Sequence, residues 1–335
     1  MGTAVNDAAA RAPAPEQAAT STHAPFVARL QSAERILRAA CGPRFRPSFT
    51  LAPLTSFRLG GPAALYVEAE GEGDLAAAAE AVAAAEVPWM VLGKGSNVLI
   101  SDQGYPGLVI RLGKGYRWAA RDGSRIRAGG SMPLPALAGV ALTHSLAGLE
   151  FGVAIPASLG GAIRMNAGAH ARSMEEVLHD IELYSITKAT RSVLPPSGAG
   201  FDYRRSSLPA GSIVVGATTE LQVGRPDDIR REMEAARAWR RATQPLAEPN
   251  CGSVFKNPPA DHAARLVEAA GAKGMAVGGA VISEKHANFI VARPGATAND
   301  VYGLIERVSA LVRDRFGVQL EPEVQRVGNF DVASG

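Results

Sequence analysis

Residues 151–170, FGVAIPASLGGAIRMNAGAH, carry almost no side-chain bulk: Gly160, Gly161, Ala162, Ala167, Gly168 and Ala169 fall within one short stretch. Such a segment lets another surface approach at backbone distance, either a crossing strand or a flat, extended ligand. Asn166 adds an amide that can donate and accept. A second small-residue loop, VLGKGSNVLI at 91–100, sets Gly93 and Gly95 directly after an apolar, strand-like run, with Lys94, Ser96 and Asn97 completing it. Successive N–H groups in such a loop can converge on a phosphate. It is not the dinucleotide fingerprint, because GxGxxG fails and the following NVLISD reads as a strand rather than a helix. Alone, each loop is equally a glycine hairpin or a tight strand crossing. Together in one α/β region they favour a large, phosphate-bearing cofactor.

The surrounding pattern supports alternating elements. ALYVEAE, VPWMVLG, NVLISD and GLVIRL read as strands, with the alanine-rich DLAAAAEAVAAAE as a helix among them. DIELYSIT and SIVVGATTELQV bring back β-branched runs, separated by the loop LPPSGAG. From about Arg225 the composition changes: PDDIRREMEAARAWRRATQP predicts an arginine-rich helix with Asp at its N-cap, linking two domains. Beyond it come a helix in DHAARLVEAAG with glycine at C′, strands in GGAVIS and ANFIVARP, and a long helix in NDVYGLIERVSALVRDRFG. In that helix Val301, Leu304, Ile305, Val308, Leu311 and Val312 form one apolar face. The chain closes on VQLEPEVQRVG, read as a strand whose Glu321 and Glu323 point to one side.

A chain of 335 residues, 47% of them apolar, supports two or three cores. Cys41 and Cys251 stand far apart with no CxxC pair, which argues against a disulfide scaffold, a zinc site or a dithiol redox centre and for a reduced, cytoplasmic setting. No apolar run is long enough to cross a membrane, and the Ala-, Pro- and Thr-rich start, residues 1–24, is expected to be a disordered tail without a secretory signal. The net charge of +3 comes from arginines spread along the chain, without the interleaved aromatics expected of a nucleic-acid surface.

Several residues could carry chemistry. FDYRRSSL places Tyr203 and Arg204 after a loop, where an arginine is either a solvated charge or a fixed cation at a site of developing negative charge. Arg230, Arg237 and Arg241 lie near one face of the arginine-rich helix with Arg240 beside them, as a solvated stripe or a phosphate clamp. A buried member of the Glu321/Glu323 pair would have a raised pKa and could serve as an acid. The serine of NCGSVFKNP has no local histidine and no GxSxG frame, so it reads as a turn residue unless something elsewhere activates it.

GKGSNVL, IPASLGGAIRMNAGA, DYRRSSL, TQPLAEPNCGSVFKNP, GGAVISEKHANFI and LEPEV, in that order from about Thr55 to Gly328, resemble the UDP-N-acetylenolpyruvoylglucosamine reductase family. The resemblance implies an α+β flavoenzyme with a two-subdomain FAD-binding region of the vanillyl-alcohol-oxidase type and a C-terminal α+β substrate domain. The corresponding divisions are 25–54 as a helix and lead-in, 55–224 for FAD (about 55–112 and 113–224) and 225–330 for the substrate. It implies non-covalent FAD, NADPH as hydride donor, and reduction of UDP-N-acetylglucosamine enolpyruvate to UDP-N-acetylmuramate for peptidoglycan precursors.

Matched residue by residue, Ser253 is the implied proton donor, with Arg204 and Glu323 as its catalytic partners. Gly93 to Asn97, Gly160 to Ala162, Asn166 and Gly168 would bind the cofactor, and Tyr203, Arg240 and Asn257 the substrate. Lys285, His286 and Asn288 are either substrate contacts or structural. One branch of the family inserts a tyrosine-bearing segment over the nucleotide sugar. Between Tyr203 and Pro249 there is room only for a helix and a strand, so the chain resembles the shorter branch. A monomer without membrane or nucleic-acid partners is expected. The alternatives are a flavin-dependent sugar or alcohol oxidase of the same fold, and a non-catalytic nucleotide-binding module.

Overall fold

The computed structural model describes residues 23–330. The expected tail lies outside the described residues up to position 22, whereas His23 and Ala24 already belong to a helix. Seven helices occur among the described residues: α1 (His23–Cys41), α2 (Glu72–Ala85), α3 (Leu134–Thr143), α4 (Leu159–Arg164), α5 (Pro226–Thr243), α6 (Ala263–Ala269) and α7 (Ala298–Phe316).

The first sheet orders its strands Phe45–Thr50, Pro62–Ala69, Tyr105–Leu112 and Trp89–Val91, with one antiparallel edge and the rest parallel. Residues 45–50 are thus an edge strand of this sheet rather than a lead-in to it. Parallel strands are covered on both faces. Accordingly Leu65, Val67, Leu108 and Ile110 share a core with Leu37 of α1 and Leu75 and Ala78 of α2.

The second sheet is wholly antiparallel, in the order Thr190–Leu194, Leu178–Ser185, Ser212–Glu220, Arg125–Gly129, Ala119–Asp122. Its central strand, SIVVGATTE, is buried at nearly every position, which is why its sequence is a continuous run without polar alternation. Ile213 and Val215 pack into the core of the first sheet, while Val214 and Ala217 face the other way, onto α3 and α4.

A third sheet, Ala276–Val277, Ala280–Ile282 and Ile290–Ala292, packs against α6 and α7. The apolar stripe of α7 is buried as its periodicity predicts, with Leu311 only partly covered. The helix begins in a Thr297/Asp300 capping box and ends at Gly317, φ +67°.

Three expectations need correction. Helix α5 has Arg225 at its N-cap and Pro226 in its first turn, because proline's fixed φ suits that position and its missing N–H is not needed there. Asp227 and Asp228 instead sit in the first turn, where they complement the helix dipole. Nor does α5 open the third unit: Ile229, Met233 and Ala236 are buried in the core of the second. Finally, Glu321 and Glu323 precede the last strand, Gln325–Val327, and their side chains diverge: Glu321 meets Lys256 at 2.6 Å while Glu323 meets Arg204. That last strand returns to the first unit, pairing in parallel with Val98–Ile100.

Candidate active site

A cavity of about 390 Å³ opens between the first and second sheets. Gly93 and Lys94 line it from one side and Gly160 and Gly161 from the other, joined by Trp89, Ser131, Ser158 and Ser212. Two small-residue loops distant in sequence therefore face one space. Gly95 makes the tight turn of its loop: its φ is +63° and a Cβ there would lie 2.2 Å from the Leu54 carbonyl oxygen. Gly160 is small for a different reason, since a Cβ would lie 2.9 Å from the Val214 oxygen of the central strand.

Lys94, Arg111, Arg117 and Arg164 all reach this cavity, and among the described residues no carboxylate lines it. Among the described residues none of the four is in an ion pair. Burial lowers the Arg164 pKa, and burial together with Arg117 and Arg111 lowers that of Lys94. Cations gathered without a counter-charge are costly unless an anion joins them. The cavity therefore fits a diphosphate-bearing cofactor on its own electrostatics. Arg111, Arg117 and Arg164 were not distinguishable in sequence, because nothing local separates them from surface arginines.

Other expected cofactor residues serve the frame. Ala162 is fully buried in the second core. Asn166, 3% exposed, uses both ends of its amide on backbone, Nδ2 donating to Asp202 O (3.2 Å) and Oδ1 accepting from Glu175 N (3.1 Å). The Gly168 oxygen accepts from Arg204 Nη2 at 2.9 Å. Asn97 Nδ2 donates to the Glu323 carbonyl at 3.1 Å. Among the described residues no hydrogen bond holds the Ser96 side chain.

Arg204 occupies the third position of the turn 202–205, closed by Arg205 N donating to Asp202 O at 3.1 Å. Its φ is +57°, a left-handed conformation that costs a side-chain-bearing residue about 1–2 kcal/mol. Strain of this kind is found where the surroundings impose it for a purpose. The turn aims the guanidinium inward: Nε lies 3.2 Å from Glu323 Oε1, with side chains 23% and 17% exposed. Tyr203 stays exposed, its ring 4.9 Å from the guanidinium carbon. Burial raises the Glu323 pKa, opposed by the positive charges of Arg204 and Lys256.

Ser253 follows Gly252, whose φ is +81°, and is half-buried with no hydrogen bond to its hydroxyl among the described residues. Its loop is pinned from behind. Asn288, 4% exposed, accepts from Phe255 N at 2.9 Å and donates to Phe255 O at 2.8 Å, while its own carbonyl accepts from Val254 N. Glu323 N donates to the Val254 oxygen at 2.7 Å, so Ser253 and Glu323 sit on directly bonded segments.

The structure thus pairs Arg204 with Glu323 and bonds the Glu323 main chain to Val254, the residue after Ser253. Arg240 is half-buried and bonded to Gln244 (2.9 Å), its pKa lowered by burial. Arg230 is paired with Asp227 on the exposed face. Asn257 caps α6, accepting from Ala263 N at 3.1 Å. Lys285 Nζ donates to the Arg241 carbonyl at 2.6 Å, and burial lowers the His286 pKa.

Comparison with known proteins gives the arrangement its context. An FAD-binding domain model matches residues 63–185, and the model for the C-terminal domain of UDP-N-acetylenolpyruvoylglucosamine reductase matches 244–327. Proteins of that name from Anaeromyxobacter sp. (strain Fw109-5) and Synechococcus sp. (strain JA-3-3Ab) are similar, the first 44% identical over 84% of this chain and 87% of its own length, the second 41% identical over 92% and 98%. The crystal structure of the reductase from Thermus caldophilus superposes with a TM-score of 0.74 at 33% identity, over 85% of this chain and 98% of that one. The chain belongs to the UDP-N-acetylenolpyruvoylglucosamine reductase family.

Proposed function

We propose that Ser253, Arg204 and Glu323 complete the reduction of UDP-N-acetylglucosamine enolpyruvate to UDP-N-acetylmuramate in this chain. The chain is an FAD oxidoreductase of the family that supplies this peptidoglycan precursor, with NADPH as reductant. FAD, when bound, relays two electrons as hydride from NADPH to the enolpyruvyl double bond. Lys94, Arg111, Arg117 and Arg164 would hold its diphosphate in the cation-lined cavity.

The residues of the chain handle the proton. Hydride addition at one carbon of the double bond leaves enolate character at its neighbour, which must gain a proton. The Ser253 hydroxyl, which has no hydrogen-bond partner among the described residues, delivers it and regains a proton from water. A serine is a weak acid, so the developing charge has to be met, and the Arg204 guanidinium is the cation placed to do so. Glu323, pushed by burial toward its protonated form, polarises the same centre. Arg240 and Tyr203 are proposed to hold the nucleotide sugar; the amide oxygen of Asn257 is already used on α6, leaving only its N–H groups for substrate.

The observation that carries this reading is the half-buried Arg204–Glu323 pair, bonded through Glu323 N to the segment that presents Ser253. As division of labour we propose residues 55–112 and 113–224 for FAD, with α5 packed on the second of these, and the segment after α5 to 330 for substrate. We further propose that the chain acts as a monomer. Two free, buried cysteines support a reducing, cytoplasmic setting. Among the described residues no helix is long and apolar enough to cross a membrane.

Purified protein is expected to be yellow, to bleach with NADPH under nitrogen, and to regain colour on addition of UDP-N-acetylglucosamine enolpyruvate. Reoxidation by oxygen with a simple sugar as the reductant, and none by the enolpyruvyl substrate, would instead favour the oxidase reading.

A further inference from the structure

The tightest link between the loop beside the cavity and the candidate acid is one side chain. Asn97 closes the GKGSN loop whose Gly93 and Lys94 line the cavity. Its Nδ2 donates to the Glu323 carbonyl at 3.1 Å, and its own carbonyl accepts from Gln325 N at 3.0 Å. Residue 97 thus holds residues 323 and 325 at once, across 226 positions of sequence, at the start of the parallel pairing of 98–100 with 325–327. Glu323 has its remaining backbone group on the Val254 carbonyl and its carboxylate on Arg204. A shift of Glu323's main chain would therefore move the carboxylate relative to both Arg204 and Ser253.

We infer that Asn97 is a positioning residue for proton delivery: its amide fixes the main chain of Glu323, and so the carboxyl, against the cofactor loop. This rests on the proposed roles of Arg204, Ser253 and Glu323. It differs from the expectation that Asn97 is a cofactor ligand, because its amide donates one of its two N–H groups to the Glu323 carbonyl. The arrangement ties the place where the cofactor sits to the place where the proton is released. Gln325 Nε2 also reaches the same carbonyl, at a longer 3.3 Å, and cannot by itself replace the link to the loop because it lies on the Glu323 segment.

The test uses the full chain with FAD bound, and compares Asn97→Ala and Asn97→Asp with wild type in anaerobic rapid-mixing experiments. Both variants remove the donor, and Asp adds a charge facing the carbonyl while keeping the side chain's size. The inference predicts full flavin content, reduction by NADPH within about threefold of wild type, and reoxidation by UDP-N-acetylglucosamine enolpyruvate slowed about a hundredfold, the effect of a misplaced reacting group. It also predicts that the alkaline limb of the reoxidation pH profile moves upward, because a carboxyl withdrawn from Arg204 loses the charge that holds its pKa down. Four results would overturn it: lost flavin with normal reoxidation per bound flavin, equal slowing of both half-reactions, wild-type behaviour, or failure of both variants to fold with flavin. If wild type itself is not reoxidised by the substrate, the proposed function fails first, and that outcome is distinguishable from all four.

Discussion

Burial and an arginine pull the Glu323 carboxyl in opposite directions, and burial is the larger influence. If Glu323 acts protonated, as proposed, the second half-reaction should fall as pH rises through its elevated pKa, and Glu323→Gln should flatten that limb while lowering the rate. The stability consequence has a definite sign. A carboxyl whose folded pKa exceeds its unfolded value stabilises the fold below the unfolded pKa, and this contribution is lost as pH rises through the folded one. The melting temperature of Glu323→Gln relative to wild type should therefore become more favourable as pH rises above the ordinary carboxyl range. An unchanged difference as pH rises would place Glu323 in a solvated setting.

At the scale of elements, local signals are legible in the sequence and long-range partners are not. The apolar stripe of α7, the alanine run of α2 and the glycine after α6 are encoded within a few residues of where they act. By contrast, nothing near Asp102 announces that its carboxylate accepts from Ala298 N (2.8 Å) and Asn299 N (3.0 Å), capping α7 from the loop after residues 98–100. Asp102→Ala should cost about 1 kcal/mol, seen in thermal unfolding, with the bound-flavin spectrum unchanged. Gly95→Ala should be harsher, since it combines a left-handed residue with a backbone clash: a loss beyond about 1–2 kcal/mol and reduced flavin content in the purified protein. Normal stability and flavin in Gly95→Ala would mean that this loop tolerates rearrangement. The small residues of 160–168 showed that something approaches closely, but not what, because backbone packing and ligand contact demand the same absence of side chain. In the structure Gly160 answers to the strand 212–220 and Gly161 to the cavity.

For the whole molecule, the site is a joint product of units that sequence order keeps apart. Arg204 comes from a strained turn in the second unit, Ser253 from a loop pinned by Asn288 in the third, and Glu323 from the segment that returns to pair with the first. Composition and motif order made the family and the α+β class legible, because each motif is short and contiguous. The frame was not: the amides of Asn97, Asn166 and Asn288 look like ligand donors in a one-dimensional reading, and only folded contacts reveal that they are committed to backbone groups. In the proposed function, one hydroxyl delivers the proton after hydride arrives. The most direct test is rapid mixing of Ser253→Ala, first with NADPH and then with UDP-N-acetylglucosamine enolpyruvate. Flavin reduction is expected at the wild-type rate, with reoxidation slowed by about a hundredfold to ten-thousandfold. Equal slowing of both steps, or none of either, would contradict it.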